Sequence, residues 1–287
     1  MSIVQAGMRL TVWGARGTVP IALEDPSRYG ARTCCVSIEA QGRVLIFDAG
    51  TGIVDLGNRL MASGEREIDL FLGHAHYDHV IGFPYFLPFY NPACRVRIHA
   101  GHMQDGRNCR ALLEDFLRAP FHPVGLEKFK ADIEYVTFRP TDMLQPSAGI
   151  RITTHELTHP NGAVAYRVES DGRSVVYATD HEHRPGMRDV ALETFIAGAD
   201  VLIFDTTFTD EELPRYVGYG HSTYEEGVRL ALATGVRRLV LFHHSHKRPD
   251  DDLARIEREM QTLLPGAVAG RPGLEIDLPA LPRAPEI

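Results

Sequence analysis

Between positions 74 and 79 the sequence reads His-Ala-His-Tyr-Asp-His, placing His74, His76, Asp78 and His79 within six residues. Imidazole and carboxylate donors suit zinc, manganese or iron, and four of them exceed what one tetrahedral ion takes from a single loop. That density points to two metals sharing a water. An apolar run at 68–72 stops at Gly73 just before the cluster, so the donors leave the end of a buried strand.

Further donors follow the ends of other β-rich runs. The run at 150–155 leads to Thr158-His159-Pro160, the run at 175–178 to Thr179-Asp180, and the run at 239–242 to His243-His244-Ser245-His246. If those strands lie side by side, their ends form one rim, and separate loops bring His159, Asp180 and His243 to the first cluster. Adjacent strand residues face opposite ways, so one of His243 and His244 reaches the rim, and His246 stays open as a third choice. His99, His102, His122 and His155 read as surface or satisfied core positions. His181 and His183 fall near the rim without an assigned role.

The elements that must carry these loops alternate along the chain. Strands are expected at 9–13, 34–40, 43–47, 68–72, 95–99, 133–138, 150–155, 164–169, 174–178, 201–204, 238–242 and 274–276. Helices are expected at 53–61, 106–118, 189–197, 223–234 and 250–264, with Ser222 as a candidate N-cap for the fourth. Gln41-Gly42 and Asp171-Gly172 are tight-turn pairs. Two groups of strands with helices interspersed in both predict two packed sheets with helices outside. No linker divides residues 1–287, which are expected to form one domain, with 278–287 as a loose, proline-rich tail.

Composition narrows the classes. The 287 residues are 44% hydrophobic and 24% charged, an ordinary globular balance, and the net charge of −8 argues against a long polyanion as partner. Cys34, Cys35, Cys94 and Cys109 form no Cys-x-x-Cys pair and read as reduced thiols in a cytoplasmic protein. No apolar stretch is long enough to span a membrane. A homodimer is left open.

Together, HAHYDH, a lone His, a lone Asp and a final His at these intervals resemble the metallo-β-lactamase-fold hydrolases across almost the whole chain. The resemblance implies a four-layer αββα sandwich of two mixed sheets. It also implies that His74, His76 and His159 hold one metal, that Asp78, His79 and His243 hold the second, and that Asp180 bridges them. Trp13 to Pro20, Tyr29-Gly30, Phe47 to Gly52 and Gly220-His221-Ser222-Thr223 are similar to the phosphodiesterase branch. That branch includes phosphoribosyl cyclic phosphodiesterases, cyclic-nucleotide phosphodiesterases and the tRNA 3′-processing ribonuclease Z. Ala31-Arg32-Thr33-Cys34-Cys35 departs from the Gly-Asn-Thr-Ser-Cys usual in relatives and leaves Arg32 unexplained.

The expected chemistry is hydrolysis of a phosphodiester by a hydroxide bridging two divalent cations, zinc first, with manganese or iron as alternatives. Asp78 and His221 are the expected catalytic residues, His221 as proton donor to the leaving oxygen. Asp48 is expected to orient the motif loop from behind, with Ser222 in a similar supporting place. Tyr85, Phe86, Phe89 and Tyr90 read as core packing in preference to a base-stacking wall. A small cyclic phosphate or cyclic nucleotide is the expected substrate. A tRNA 3′ endonuclease ranks second because no Lys/Gly-rich insert lies between His79 and His159. A thioester or lactone hydrolase and a silent metal-binding protein rank lower.

Overall fold

Alternating apolar residues build the first strand: β1 (Met8–Gly14) buries Leu10 and Val12 while Arg9 stays exposed. The computed structural model describes residues 7–21 and 27–281. β1 lies in a seven-stranded sheet with β2 (Cys35–Ala40), β3 (Arg43–Phe47), β4 (Glu67–Leu72), β5 (Arg95–Ala100), β6 (Asp132–Thr137) and β14 (Glu275–Leu278), ordered β14-β1-β2-β3-β4-β5-β6. The second sheet also has seven strands. It comprises β7 (Met143–Ser147), β8 (Ile150–Leu157), β9 (Ala163–Ser170), β10 (Arg173–Ala178), β11 (Val201–Asp205), β12 (Arg238–Phe242) and β13 (Ala267–Ala269), ordered β13-β12-β11-β10-β9-β8-β7.

Both sheets are mixed. Strands β3 to β6 run parallel in the first, and β10 to β13 run parallel in the second, with antiparallel strands completing each. One core fills the space between the sheets, centred on Phe47, Phe71, Tyr166, Tyr177 and Phe242. A second lies under α4 (Val190–Ile196), α5 (Tyr224–Thr234) and α6 (Asp250–Leu263), and a third under α1 (Ile53–Ser63) and α3 (Cys109–Phe116). The layers are therefore helix, sheet, sheet, helix, the αββα sandwich expected from the sequence.

The differences have local causes. β7 was not foreseen because it is an edge strand that contains Pro146 and a register break between Leu144 and Ser147. β13 has three residues, too few for a period. The cap of α5 is Thr223, whose hydroxyl accepts from the Glu226 amide, so Ser222 lies outside the helix and is not its cap. Residues 278–281, expected in the loose tail, are instead held against the fold. Leu278 belongs to β14, Pro279 accepts from Arg173, and the Leu281 amide donates to Asp171. Positions 282–287 of that expectation lie outside the described residues.

The parallel strands of both sheets end on the same rim, where open α/β sheets commonly place their sites. Asp48 follows β3, His74 follows β4, Asp180 follows β10, Asp205 closes β11 and His243 follows β12. Asp48, Asp180 and His243 all have left-handed backbones, with φ of 61°, 63° and 61°. Non-glycine residues pay for that conformation, and three at strand ends around one cleft mark a site whose geometry outranks local comfort.

Candidate metal centre

His74 and His76 leave β4, and a single helical turn, α2 (Tyr77–Val80), carries Asp78 and His79 back under them. Three ring nitrogens of this group, His74 Nδ1, His74 Nε2 and His79 Nε2, are buried without a hydrogen-bond partner. Buried polar atoms are seldom left so, and a cation is a partner to which the one free lone pair of each neutral ring can donate. His159 Nε2 comes within 3.0 Å of His76 Nδ1, and His74, His76 and His159 form one compact donor group.

A second group lies beside it. His243 Nε2 stands 3.0 Å from Asp78 Oδ2 and 3.2 Å from Asp180 Oδ1, while His79 Nε2 stands 3.3 Å from Asp78 Oδ2 and 3.2 Å from Asp180 Oδ2. Asp180 also faces the first group, 3.8 Å from both His74 Nε2 and His159 Nε2. The structure thus brings together all seven residues expected to bind metal, with Asp180 between the two groups.

The charges suit cations. Burial lowers the proton affinity of His74, His76 and His159, leaving neutral imidazoles. Burial would raise Asp78 and Asp180, but the surrounding His79 and His243 hold both carboxyls well below the usual range. Burial opposes charge on His243 too, yet Asp180 and Asp78 pull it up to about 9. Two buried carboxylates thus demand positive charge at this point.

Outer contacts set the orientation of each ring. Asp48 accepts from His79 Nδ1, Tyr177 Oη and the Gly73 amide, each at 2.7 Å. His159 Nδ1–H donates to the Gly220 carbonyl at 2.7 Å. Thr207 Oγ1 meets His243 Nδ1 at 2.9 Å, and the Thr18 amide donates to Asp78 Oδ2 at 2.6 Å. Two glycines make room: a Cβ on Gly17 would lie 2.2 Å from the His243 ring, and one on Gly220 would lie 2.1 Å from His159 Nδ1. His244 turns away and meets the Gly270 carbonyl at 2.9 Å, so of the His243/His244 pair it is His243 that faces the donors.

His221 lines the cleft above the donors together with Thr18, Ala75, His76, Tyr77, Asp78, Asp180 and His243, a space of about 300 Å³. Its Nδ1 lies 2.8 Å from Asp205 Oδ2, and its ring stacks on His243 with centroids 4.7 Å apart. Ser222 Oγ instead meets His183 Nδ1 at 2.6 Å. His181 and His183 line a separate depression with Glu182 and Arg188 rather than this cleft.

A family model described as "Beta-lactamase superfamily domain" matches residues 43–244, more than half of the chain. This chain belongs to the β-lactamase superfamily. Among its relatives, a ribonuclease Z from Haloferax volcanii is 26% identical, the match covering 95% of each chain. A ribonuclease Z from Gemmatimonas aurantiaca is 29% identical over 85% of this chain and 89% of its own. The crystal structure of the metallo-β-lactamase fold protein YhfI from Bacillus subtilis superposes with a TM-score of 0.72 at 21% identity, covering 95% of this chain and 99% of that one.

Within this superfamily fold, four supporting residues escaped the sequence reading. Asp205 carried the same signal as Asp180, a carboxylate at the end of an apolar run. Arg16, 1% exposed, donates to the carbonyls of Gly30 and Arg248 and to Asp250, tying the loop after His243 to the loop after β1. Glu182 accepts from the amides of Gly218 and Gly220 and so holds the loop that delivers His221. Cys34, read only as a buried thiol, has its sulfur beside Asp78, His79 and His243. Arg32 pairs with Asp55 at the surface, 2.6 Å apart.

Proposed function

We propose that this chain is a divalent-metal-dependent phosphodiester hydrolase acting as an RNA 3′-end endonuclease of the ribonuclease Z kind. The observation that carries the hydrolase reading is the Asp205–His221 pair at the wall of a cleft that His76, Asp78, Asp180 and His243 also line. The RNA substrate is supported by the two ribonuclease Z relatives, which match over most of their length. Their similarity outweighs the argument from net charge, so the order expected from composition is reversed.

In this reading His74, His76 and His159 would hold one ion and Asp78, His79 and His243 the other, with Asp180 placed between the two groups to serve either. Zinc, manganese and iron all suit these donors. Such ions supply Lewis acidity to a phosphoryl oxygen and to a water. The chain's own residues do the rest. His159, His79 and His243 are each locked in one orientation by a bond on the far ring nitrogen. His221 commits Nδ1–H to Asp205, which leaves Nε2 to carry the proton that a departing alkoxide needs.

A small phosphodiester is the second reading. One observation favours it: between His159 and Asp180 the described chain forms only the β9–β10 hairpin, with no projecting basic arm to grip a folded RNA. A direct comparison tests both. A tRNA precursor with a 3′ trailer, cyclic AMP, ribose 1,2-cyclic phosphate and bis-p-nitrophenyl phosphate are incubated with the zinc, manganese and iron forms. Cleavage of the trailer is the expected result. Turnover of the cyclic phosphates without trailer cleavage would promote the second reading, and no phosphodiester turnover at all would remove both.

A further inference from the structure

Tyr77 sits between two cleft residues, yet it behaves unlike either. His76 and Asp78 turn their side chains inward, whereas the Tyr77 side chain is 74% exposed on the wall of the same cleft. The ring is carried on a rigid turn: the His79 amide bonds to the His76 carbonyl, and the Ile81 amide bonds to the Tyr77 carbonyl. Behind it lies Phe116, with ring centroids 6.4 Å apart. That single aromatic neighbour leaves most of the ring facing solvent. Tyr219, two residues before His221, is also 63% exposed but packs edge-on against Tyr216 and does not line the cleft.

A scissile phosphate lodged over the donors brings its neighbouring nucleotide against this wall. Bases stack on exposed aromatic rings whatever their sequence, because every base has a π-face. We propose that Tyr77 is a stacking platform for the base of the nucleotide next to the reacting phosphate. The proposal rests on the nucleic-acid reading above, since a sugar phosphate without a base gains nothing from the ring. It also divides the aromatic residues after the motif. Phe86 and Phe89 are buried core, as expected, whereas Tyr85 is 59% and Tyr90 38% exposed, so these two lie outside that core.

The test compares ligands that differ only by a base. Binding of 5′-AMP and of ribose 5-phosphate to the metal-loaded full-length protein is measured by calorimetry for wild type, Tyr77→Ala, Tyr77→Phe and Phe121→Ala. Phe121 is 77% exposed but does not line the cleft. Wild type should prefer 5′-AMP by about 5- to 150-fold, the preference expected of one stacked base. Tyr77→Ala should bring the ratio towards one, and both Tyr77→Phe and Phe121→Ala should keep it.

Equal affinities in wild type, or a preference that survives in Tyr77→Ala, would overturn the proposal while leaving the phosphodiester reading intact. If neither ligand binds and bis-p-nitrophenyl phosphate is not turned over, both fall together. Sedimentation is run alongside. A dimer that Tyr77→Ala dissociates, with the ligand ratio unchanged, would assign the ring to a second copy of the chain and overturn the proposal.

Discussion

The Asp48 carboxylate and the His79 imidazole meet at 2.7 Å, both fully buried, and this contact aims His79 Nε2 at Asp78 and Asp180. Asp48 also receives Tyr177 Oη and the Gly73 amide, so one side chain joins the two sheets to the metal loop. Replacing it disturbs a candidate metal donor and strands two other polar groups at once.

Asp48→Ala should therefore weaken metal binding about 10- to 100-fold, as loss of a ligand's outer partner generally does. It should also destabilise the fold by about 1–3 kcal/mol for each buried donor left unpaired. Competition against a chromophoric chelator and a denaturant titration read the two effects separately. Unchanged metal affinity would mean that Asp48 only supports the fold.

Asp205→Asn should act differently. The amide keeps the shape but no longer fixes a proton on His221 Nδ1, so kcat should fall by about 100-fold or more while metal content stays at the wild-type level. Metal analysis of the purified variant beside steady-state kinetics checks this. Loss of metal in Asp205→Asn would place the residue with the donors instead.

Gly220→Ala should damage the first donor group from outside. The new Cβ meets His159 Nδ1 at 2.1 Å on a backbone with φ of 84°, so both the ring and the loop must shift. Metal stoichiometry should drop and the Gly220–His159 bond should be lost, with global stability reduced by strain. Full occupancy in Gly220→Ala would show that the His159 loop is more pliant than its packing indicates.

Chelation should expose a pH dependence carried by His243. Its folded proton affinity is raised to about 9 from an ordinary value of 6.5 by Asp180 and Asp78, against the opposing effect of burial. A group raised on folding stabilises fully below its unfolded value and loses that contribution as pH rises through the folded value. Melting of the chelated protein should thus weaken between about pH 6.5 and 9 through this group. The metal-loaded protein should melt higher and lack this trend, because bound ions take over the balancing of the carboxylates. A flat melting profile for the chelated protein across that interval would contradict the assignment.

Arg16→Ala should loosen the loop after His243. The guanidinium is almost wholly buried, and its removal leaves the carbonyls of Gly30 and Arg248 without their donor, at about 1–3 kcal/mol for each buried group stranded. A lower melting temperature with faster amide exchange across 243–250 is expected. Unaltered exchange there would limit Arg16 to general packing.

Much of the centre was legible because chemistry and spacing coincide over short distances. His74, His76, Asp78 and His79 share one loop, so their types alone announce a metal. His159, Asp180 and His243 could be found only by noting that each follows a strand. Asp205 obeys the same rule but was passed over, since one carboxylate after a strand is ordinarily a turn residue or a cap. Glu182 and Arg16 act through backbone amides and carbonyls far away in sequence, a kind of contact that leaves no pattern in side-chain order.

Periodicity in the residue order dictated the strands and helices, and residue type dictated where lone pairs and charge reside. Tertiary structure alone decided which of them meet. The choice between His243 and His244 turned on a left-handed backbone at His243. The capping role passed from Ser222 to Thr223, and Tyr77 was left exposed beside buried neighbours. The reason is physical: residue type sets what a side chain can bind. Direction depends on where each strand stops and on what packs behind it, and both are settled by the two sheets closing on one core.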